Sequence, residues 1–270
     1  MPELPEVETI VQALKSCLPG QIPVKITCFN KKILHAPKNL SKVLPRPITG
    51  ISRKGKLILI GTPPYVWLIH LRMTGQLWWQ HKDTPLPRHT HLIVSLANSD
   101  HELRYADVRQ FGYWQIVHES TLAQVPFLQK LGPDALDITP SLLQVQLQKR
   151  RAAIKTLLLN QQCLAGLGNI YTDEALWLSR IHPLTPANLL SSPQIDKLAW
   201  AIRKSLQRGI LLKGSSMRDY LHPDGSKGLY QDHRLVYSRQ GLSCMRCRTP
   251  IKRIKIQGRS SYFCPECQKL

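Results

Sequence analysis

Four cysteines near the C-terminus constrain this chain more than any other feature. Cys244-Met-Arg-Cys247 and Cys264-Pro-Glu-Cys267 are two C-x2-C pairs separated by sixteen residues. Each short pair can present two thiolates from one tight turn, and a spacer of that length forms a hairpin, which is the spacing of a four-thiolate zinc site. A pair of disulfides is the alternative. The chain start, Met1-Pro-Glu-Leu-Pro-Glu6, is acidic and lacks the basic flank and apolar core of a secretory signal, so an oxidising compartment is not indicated. Between the pairs, Ile251, Ile254 and Ile256 alternate in part with Lys252, Arg253 and Lys255 and lead into Gly258-Arg259. The expectation is a basic β-ribbon, too small to fold on an apolar core and held by one structural zinc ion whose four positions are closed to substrate. Arg259, at the hairpin tip, is the side chain best placed to enter a groove. Cys17, Cys28 and Cys163 are scattered and read as small buried apolar residues.

At 270 residues the chain has room for two domains and a small appendage. Its formal charge of +20 points to a polyanionic partner, because cations that neutralise phosphates release counterions from nucleic acid. The last 70 residues hold 15 Lys plus Arg against 4 Asp plus Glu, so a surplus of 11 lies in about a quarter of the chain. Acidic lipid is the competing partner, but no apolar run approaches the roughly 18 to 20 residues of a membrane span. A soluble, cytoplasmic protein with no membrane partner is expected.

From about residue 22 to 118, short apolar runs broken by Pro and Gly (Leu57 to Ile60, Val66 to Leu71, Leu92 to Leu96, Tyr113 to Val117) have the pattern of a β-sandwich or barrel. From Pro140 the periodicity becomes helical, over Leu142 to Leu159, Thr172 to Leu178 and Pro193 to Leu212, with Gly209 and Gly214 near a C-terminal stop. The domain expectation is 1–132, 133–234 and 235–270. Gly166-Leu-Gly168-Asn169 links two of the helices; it serves either as a plain turn or as a backbone that can approach a phosphate ahead of a helix N-terminus.

The N-terminus also admits two readings. Val7, Ile10, Val11, Leu14 and Leu18 fall at helical spacing after Pro5, so Glu6 and Glu8 are explained as acids at a helix start. Glu3 precedes that helix and sits against Pro2. Removal of Met1, which a small following residue favours, leaves Pro2 as a secondary amine. An α-amine titrates near about 7.7 to 8.0, and its neutral fraction can attack carbonyl-type carbons to form Schiff bases.

Taken together these stretches resemble the bacterial formamidopyrimidine-DNA glycosylase family from end to end. The motifs are Pro2-Glu-Leu-Pro-Glu-Val-Glu8, His70-Leu-Arg-Met-Thr-Gly75, Leu103-Arg-Tyr-Ala-Asp-Val-Arg-Gln-Phe-Gly112, Leu167-Gly-Asn-Ile-Tyr-Thr-Asp-Glu174, Ile181-His-Pro183 and the four-cysteine ending. The resemblance implies an α+β multidomain fold: an N-terminal β-sandwich with an N-terminal helix, a helical domain built as helix, two turns and helix, and a zinc ribbon. It implies a monomeric glycosylase with lyase activity on oxidised purines in damaged duplex DNA. Pro2 corresponds to the family's nucleophile and Glu3 to its acid/base residue. Lys56 matches the lysine assigned to β-elimination and phosphate contact, and Arg259 the arginine assigned to δ-elimination. Guanidinium groups stay protonated, so Arg259 reads first as a phosphate clamp.

By the same resemblance Met73, Arg109 and Phe111 fill the space left by an extruded base; core packing is the lesser alternative for Met73 and Phe111 without that context. His89, Arg151 and Asn169 match positions that contact the DNA backbone, and Lys155 and Glu174 positions near the lesion pocket. The stretch from Lys213 to Tyr230 resembles the loop that closes over the extruded base. Three positions depart from the family pattern. Asp107-Val-Arg-Gln-Phe111 stands where Asp-Pro-Arg-Arg-Phe is usual, and Arg248 and Ser238 each replace a common Gly. Two competing readings are a DNA-binding protein that senses damage without cutting and the endonuclease VIII branch, which prefers oxidised pyrimidines. Retention of Pro2, Glu3, Lys56 and Arg259 speaks against the first; the Leu4-Pro5 start and the Met73, Arg109, Phe111 set speak against the second.

Overall fold

The structure is a computed structural model that describes residues 2–216 and 220–270. The chain forms two compact units. The first runs from the N-terminus to Gln129 and takes back Lys213–Leu229; the second comprises Lys130–Leu212 and Tyr230–Leu270.

In the first unit, helix α1 (Leu4–Lys15) buries Leu4, Val7, Ile10, Val11 and Leu14 along one face. Nine strands follow: β1 (Pro23–Cys28), β2 (Leu34–His35), β3 (Gly50–Lys54), β4 (Leu57–Thr62), β5 (Tyr65–His70), β6 (Gly75–His81), β7 (Thr90–Leu96), β8 (His101–Asp107) and β9 (Tyr113–His118). They make a four-stranded sheet in the order β1-β7-β8-β6 and a five-stranded sheet in the order β2-β9-β5-β4-β3. Every pairing is antiparallel except the two-residue β2/β9 contact. One apolar cluster takes Ile58, Ile60, Trp67, Ile69 and Trp114 from the larger sheet, Leu77, Leu92, Val94, Leu103 and Tyr105 from the smaller, and the buried face of α1. That shared core makes the unit a β-sandwich. The four apolar runs expected as strands coincide with β4, β5, β7 and β9, with Leu71 one residue past the end of β5, because each alternates or stays apolar as a half-buried or buried strand must.

In the second unit the helical stretch expected over 142–159 is two helices, α3 (Pro140–Leu147) and α4 (Ile154–Leu159), preceded by the four-residue α2 (Pro126–Gln129) of the first unit. Thr139 caps α3 by accepting from the Leu142 N–H. The helix stops before Lys149-Arg-Arg151, and Ala153 instead bridges Pro186 while the Ile154 N–H bonds the Thr185 carbonyl. Helices α5 (Asn169–Ser179) and α6 (Ser192–Leu211) complete the group, α6 opening with a Ser191/Gln194 capping box. Gly209 does not stop α6. A Cβ there would lie 2.5 Å from the Tyr171 ring, so this glycine permits close packing of α6 on α5, and the chain leaves the helix at Lys213 and Gly214, both at positive φ. The ribbon is the hairpin β10 (Lys252–Ile256) and β11 (Arg259–Phe263), closed by Gln257-Gly258 with both residues at positive φ, the geometry a two-residue hairpin turn favours. No helix among the described residues is long and apolar enough to cross a membrane.

Candidate active site and metal centre

Glu3 is the N-cap of α1 and forms a capping box: its carboxylate accepts from the Glu6 N–H, and the Glu6 carboxylate accepts from the Glu3 N–H at 2.8 Å. Helix start and carboxylate beside Pro2 are therefore one arrangement, with Pro2, Glu3 and Glu6 all buried. Glu8, one turn on, pairs with Arg53 of β3 at 2.6 Å, and Arg53 also donates to the Gly55 carbonyl. Gly55 and Lys56 form the two-residue β3–β4 turn, so the Glu8–Arg53 pair ties the hairpin carrying Lys56 to the helix carrying Glu3. Lys56 is 5% exposed.

His70, at the end of β5, accepts from the Arg72 N–H through Nδ1. Burial, reinforced by the Arg72 and Lys56 cations, pushes its pKa down to about 3, so the ring is neutral at physiological pH. The unfolded chain takes up a proton at this histidine below about pH 6.5, whereas the folded chain refuses it until about pH 3. Stability is therefore lost as pH falls through that window, by about 1.4 kcal/mol per pH unit from this group. Denaturant titrations between pH 7 and 4.5 are expected to show a shallower loss in His70→Asn than in the parent; equal slopes would assign the acid sensitivity elsewhere.

Met73, Arg109 and Phe111 lie on two loops of the first unit and are exposed, Met73 at 37% and Phe111 at 54%, so neither apolar side chain is part of the core. They contact one another: an Arg109 guanidinium nitrogen lies 3.1 Å from Met73 Sδ, and its carbon 4.7 Å from the Phe111 ring centre. The turn beneath them is built on buried Asp107, whose carboxylate accepts from Thr74 Oγ1, Tyr105 OH and the N–H groups of Arg109 and Gly112. A Cβ at Gly112 would overlap Tyr105 OH at 1.8 Å, so glycine is required there. The departure at Gln110 has a partner of its own, since Asn30 Nδ2 donates to Gln110 Oε1 at 3.0 Å. His89 is exposed at positive φ, and its carbonyl accepts from the Asp107 N–H. Sequence reasoning passed over Asp107 and Thr74, although an acid inside an otherwise apolar strand end was the available signal.

In the second unit, Arg151 is exposed in the α3–α4 turn, and Arg259 is exposed at the ribbon tip. Lys155 is placed otherwise than expected of a residue that touches DNA. Its ammonium has no exposed surface; it pairs with Asp173 Oδ1 at 2.6 Å and donates to the Ser260 carbonyl at 3.0 Å. A buried ammonium needs such partners, which orients Lys155 inward. Asn169 Nδ2 donates to the same carbonyl, and Asp173 Oδ2 accepts from the Tyr262 N–H. Burial raises the Asp173 carboxyl against the opposing pull of Lys155. Glu174, also buried, accepts from the N–H groups of Leu235, Val236 and Tyr237 and from Tyr230 OH. The adjacent acids of α5 thus hold strand β11 and the chain entering the ribbon, and Arg259 projects from the residue next to clamped Ser260.

The ligand atoms of Cys244, Cys247, Cys264 and Cys267 all lie within 4.8 Å of one another. Sγ separations of 3.4 Å (Cys247 to Cys264 and to Cys267) and 3.9 Å (Cys244 to Cys267) bracket the roughly 3.8 Å between sulfurs of a tetrahedron with Zn–S near 2.3 Å. Four soft sulfur donors in that geometry suit one zinc ion, and Arg246, stacked on Trp177 at 3.8 Å and donating to the Trp177 and Leu178 carbonyls, seats the first cysteine turn on α5.

Three family models match the chain in order: the formamidopyrimidine-DNA glycosylase N-terminal domain over residues 1–114, the H2TH domain of the same glycosylase over 131–220, and the zinc finger found in FPG and IleRS over 241–270. A formamidopyrimidine-DNA glycosylase of Desulforamulus reducens is 42% identical over 100% of this chain and 99% of its own length. The chain belongs to the formamidopyrimidine-DNA glycosylase family. A second family member, from Chloroflexus aurantiacus, is also 42% identical, over 99% of this chain and 98% of its own. Among solved structures, a mutant of the Lactococcus lactis glycosylase bound to Fapy-dG-containing DNA superposes with a TM-score of 0.91 at 38% identity, covering both chains completely. The same protein bound to DNA containing an abasic site gives 0.91 at 37%, again over both full chains. The zinc centre is that family's, and its four cysteines are in place. Two departures from the family pattern coincide with backbone strain: Ser238 and Arg248 adopt φ of 58° and 68°, the left-handed region where a glycine costs nothing and a side chain costs about 1–2 kcal/mol.

Proposed function

We propose that this chain is a bifunctional DNA glycosylase and lyase of base excision repair that removes oxidised purines, 8-oxoguanine and formamidopyrimidines, from duplex DNA. The observation that carries the reading is the buried Pro2-Glu3 start, whose proline nitrogen becomes a free amine once Met1 is removed and whose Glu3 is fixed as the α1 N-cap, in a chain that matches the family over its whole length. In this reading the target nucleotide leaves the stack. The Pro2 amine attacks C1′ and the damaged base departs with the glycosidic electron pair and a proton; the C1′–O4′ bond then breaks, O4′ taking a proton as the sugar ring opens, and an iminium remains. Glu3 moves the protons at the sugar ring. The iminium acidifies the 2′ C–H; loss of that proton expels the 3′ phosphate by β-elimination, and a second proton loss expels the 5′ phosphate by δ-elimination. Lys56 and Arg259 hold those phosphates. His89, Arg151 and Asn169 contact the DNA backbone, Asn169 while also donating to the ribbon, and Lys155 acts through strand β11. Zinc supplies the ribbon's rigidity and no chemistry. The segment Lys213 to Tyr230 covers the extruded base; Met217, Arg218 and Asp219 within it, and Met1, lie outside the described residues. The protein acts as a monomer on damaged DNA.

Duplexes carrying 8-oxoguanine, thymine glycol or no lesion, incubated with borohydride, test the reading. Covalent trapping on 8-oxoguanine well above thymine glycol is expected. Tight binding without trapping would make the protein a sensor, and preference for thymine glycol would place it in the pyrimidine branch.

Arg109 is assigned to the orphaned base opposite the lesion. Its guanidinium can donate to the acceptors of cytosine's pairing edge, and a lost or wrong match costs on the order of 1–3 kcal/mol by analogy with groove readout. Arg109→Ala is expected to slow excision of 8-oxoguanine opposite cytosine by roughly 5- to 150-fold more than opposite adenine. Single-turnover rates on both duplexes decide it; an unchanged ratio would reduce Arg109 to a phosphate contact.

A further inference from the structure

Glu6 does more than start a helix. Its carboxylate is 2% exposed and divides its two oxygens: Oε2 accepts from the Glu3 N–H, and Oε1 accepts at 2.8 Å from the N–H of Ser215, 209 positions further along the chain. The Glu6 backbone carbonyl also accepts from Tyr220 OH at 3.2 Å. Gly214 packs on the same side chain at φ +76°, where an added Cβ would lie 2.9 Å from Glu6 Cγ. The two ends of this segment meet nearby: the Gly228 N–H donates to Ser216 Oγ at 2.9 Å, and a Cβ at Gly228 would lie 2.2 Å from the Gly214 carbonyl oxygen. Lys213–Leu229 belongs to the first unit although the chain before and after it belongs to the second, and these bonds from Glu6 are part of what holds it there.

A capping box needs one acceptor at this position, which Gln supplies as well as Glu. Two N–H donors arriving from opposite sides need two acceptors. Only a carboxylate provides them, because the amide nitrogen of Gln is a donor. We propose that Glu6 is a positioning residue: one carboxylate latches the neck of the 213–229 segment to the N–H of Glu3, so that the segment and the Pro2-Glu3 start are seated by the same group. The proposal rests on the glycosylase reading above for its consequence, which is that the latch serves excision of a base the segment must cover and is dispensable where no base is present.

Glu6→Gln keeps the cap and removes the latch. In the free protein, amide exchange followed by mass spectrometry is expected to quicken about 10-fold or more at Ser215 and Gly228, with exchange in the body of α1 unchanged. In single-turnover assays, release of 8-oxoguanine is expected to slow about 10-fold or more, while borohydride trapping on a preformed abasic site changes less than about 3-fold. Gly228→Ala, which forces the neck open from the other side, is expected to reproduce the split and decides the matter should Glu6→Gln fail to fold. Unchanged exchange at Ser215, or equal loss on both substrates, would overturn the latch. A parent protein that traps neither substrate would overturn the glycosylase reading instead, leaving the exchange result to judge the latch by itself.

Discussion

Pro2→Gly is expected to lower base excision on the order of 1,000-fold or more while leaving affinity for damaged duplex close to that of the parent. A secondary amine yields an iminium that carries its positive charge permanently, whereas the imine formed by a glycine amine must first be protonated before it draws electrons from C2′ and C1′. Glycine also gives up the ring that fixes the direction of the amine about N–Cα next to the α1 N-cap, where Pro2 is buried and Glu3 is held by the capping box with Glu6. Retention of Met1 should have the same effect, because an amide nitrogen is no nucleophile. The check is single-turnover excision together with borohydride trapping, and trapping of Pro2→Gly at the parent yield would move the nucleophile elsewhere.

The second large effect is expected from the metal centre. Cys264→Ser, or exhaustive chelation, should remove the one zinc ion per chain and unfold the ribbon. The apolar cluster around it is small, Trp177, Val236, Cys244, Ile251 and Cys264, and two of those five residues are themselves ligands. Against that, a structural zinc site supplies about 10–16 kcal/mol of folding free energy in isolated fingers. Loss of β11 also strips Lys155 of the Ser260 carbonyl and Asp173 of the Tyr262 N–H, leaving a buried ion pair under-bonded. DNA affinity should fall on the order of 100-fold as Lys252, Arg253, Lys255 and Arg259 lose their fixed arrangement, and the salt dependence of binding should flatten with it. Metal analysis of reduced protein, binding isotherms at two salt concentrations and a thermal melt of the chelated protein test this together. Absence of zinc from freshly prepared protein, or a sandwich unit that melts together with the ribbon, would contradict the account.

How much of this was legible beforehand differs from element to element. The cysteine pairs, the ribbon hairpin and the α1 start are short-range patterns, and each appears as read. The strands Leu57 to Ile60 and Val66 to Leu71 were visible for the same reason, being apolar runs between turn residues. The single helix expected over 142–159 was misread because Ala153 and Ile154 bond to Pro186 and Thr185, more than thirty residues away, and that bridge overrides local helical propensity. Gly209 and Gly214 do lie near the end of α6, but the packing role of Gly209 was not legible, because the ring that it accommodates, Tyr171, belongs to another helix.

The candidate site divides along the same line. Pro2 beside Glu3, the cationic ribbon tip, the two-residue turn that carries Lys56 and the family's motifs are all properties of neighbouring residues, and the sequence by itself determined them. The tertiary structure alone decided what the buried charges face: Lys155 turned to Asp173 and Ser260 rather than to solvent, Asp107 gathering the turn beneath Arg109, and Glu6 reaching Ser215. Periodicity records which face of a helix or strand is apolar, so it finds cores and caps. It carries no record of which donor, 105 or 209 residues away, will meet a given buried carboxylate or ammonium. That choice is made as each unit folds and every such group taken out of water must find a partner.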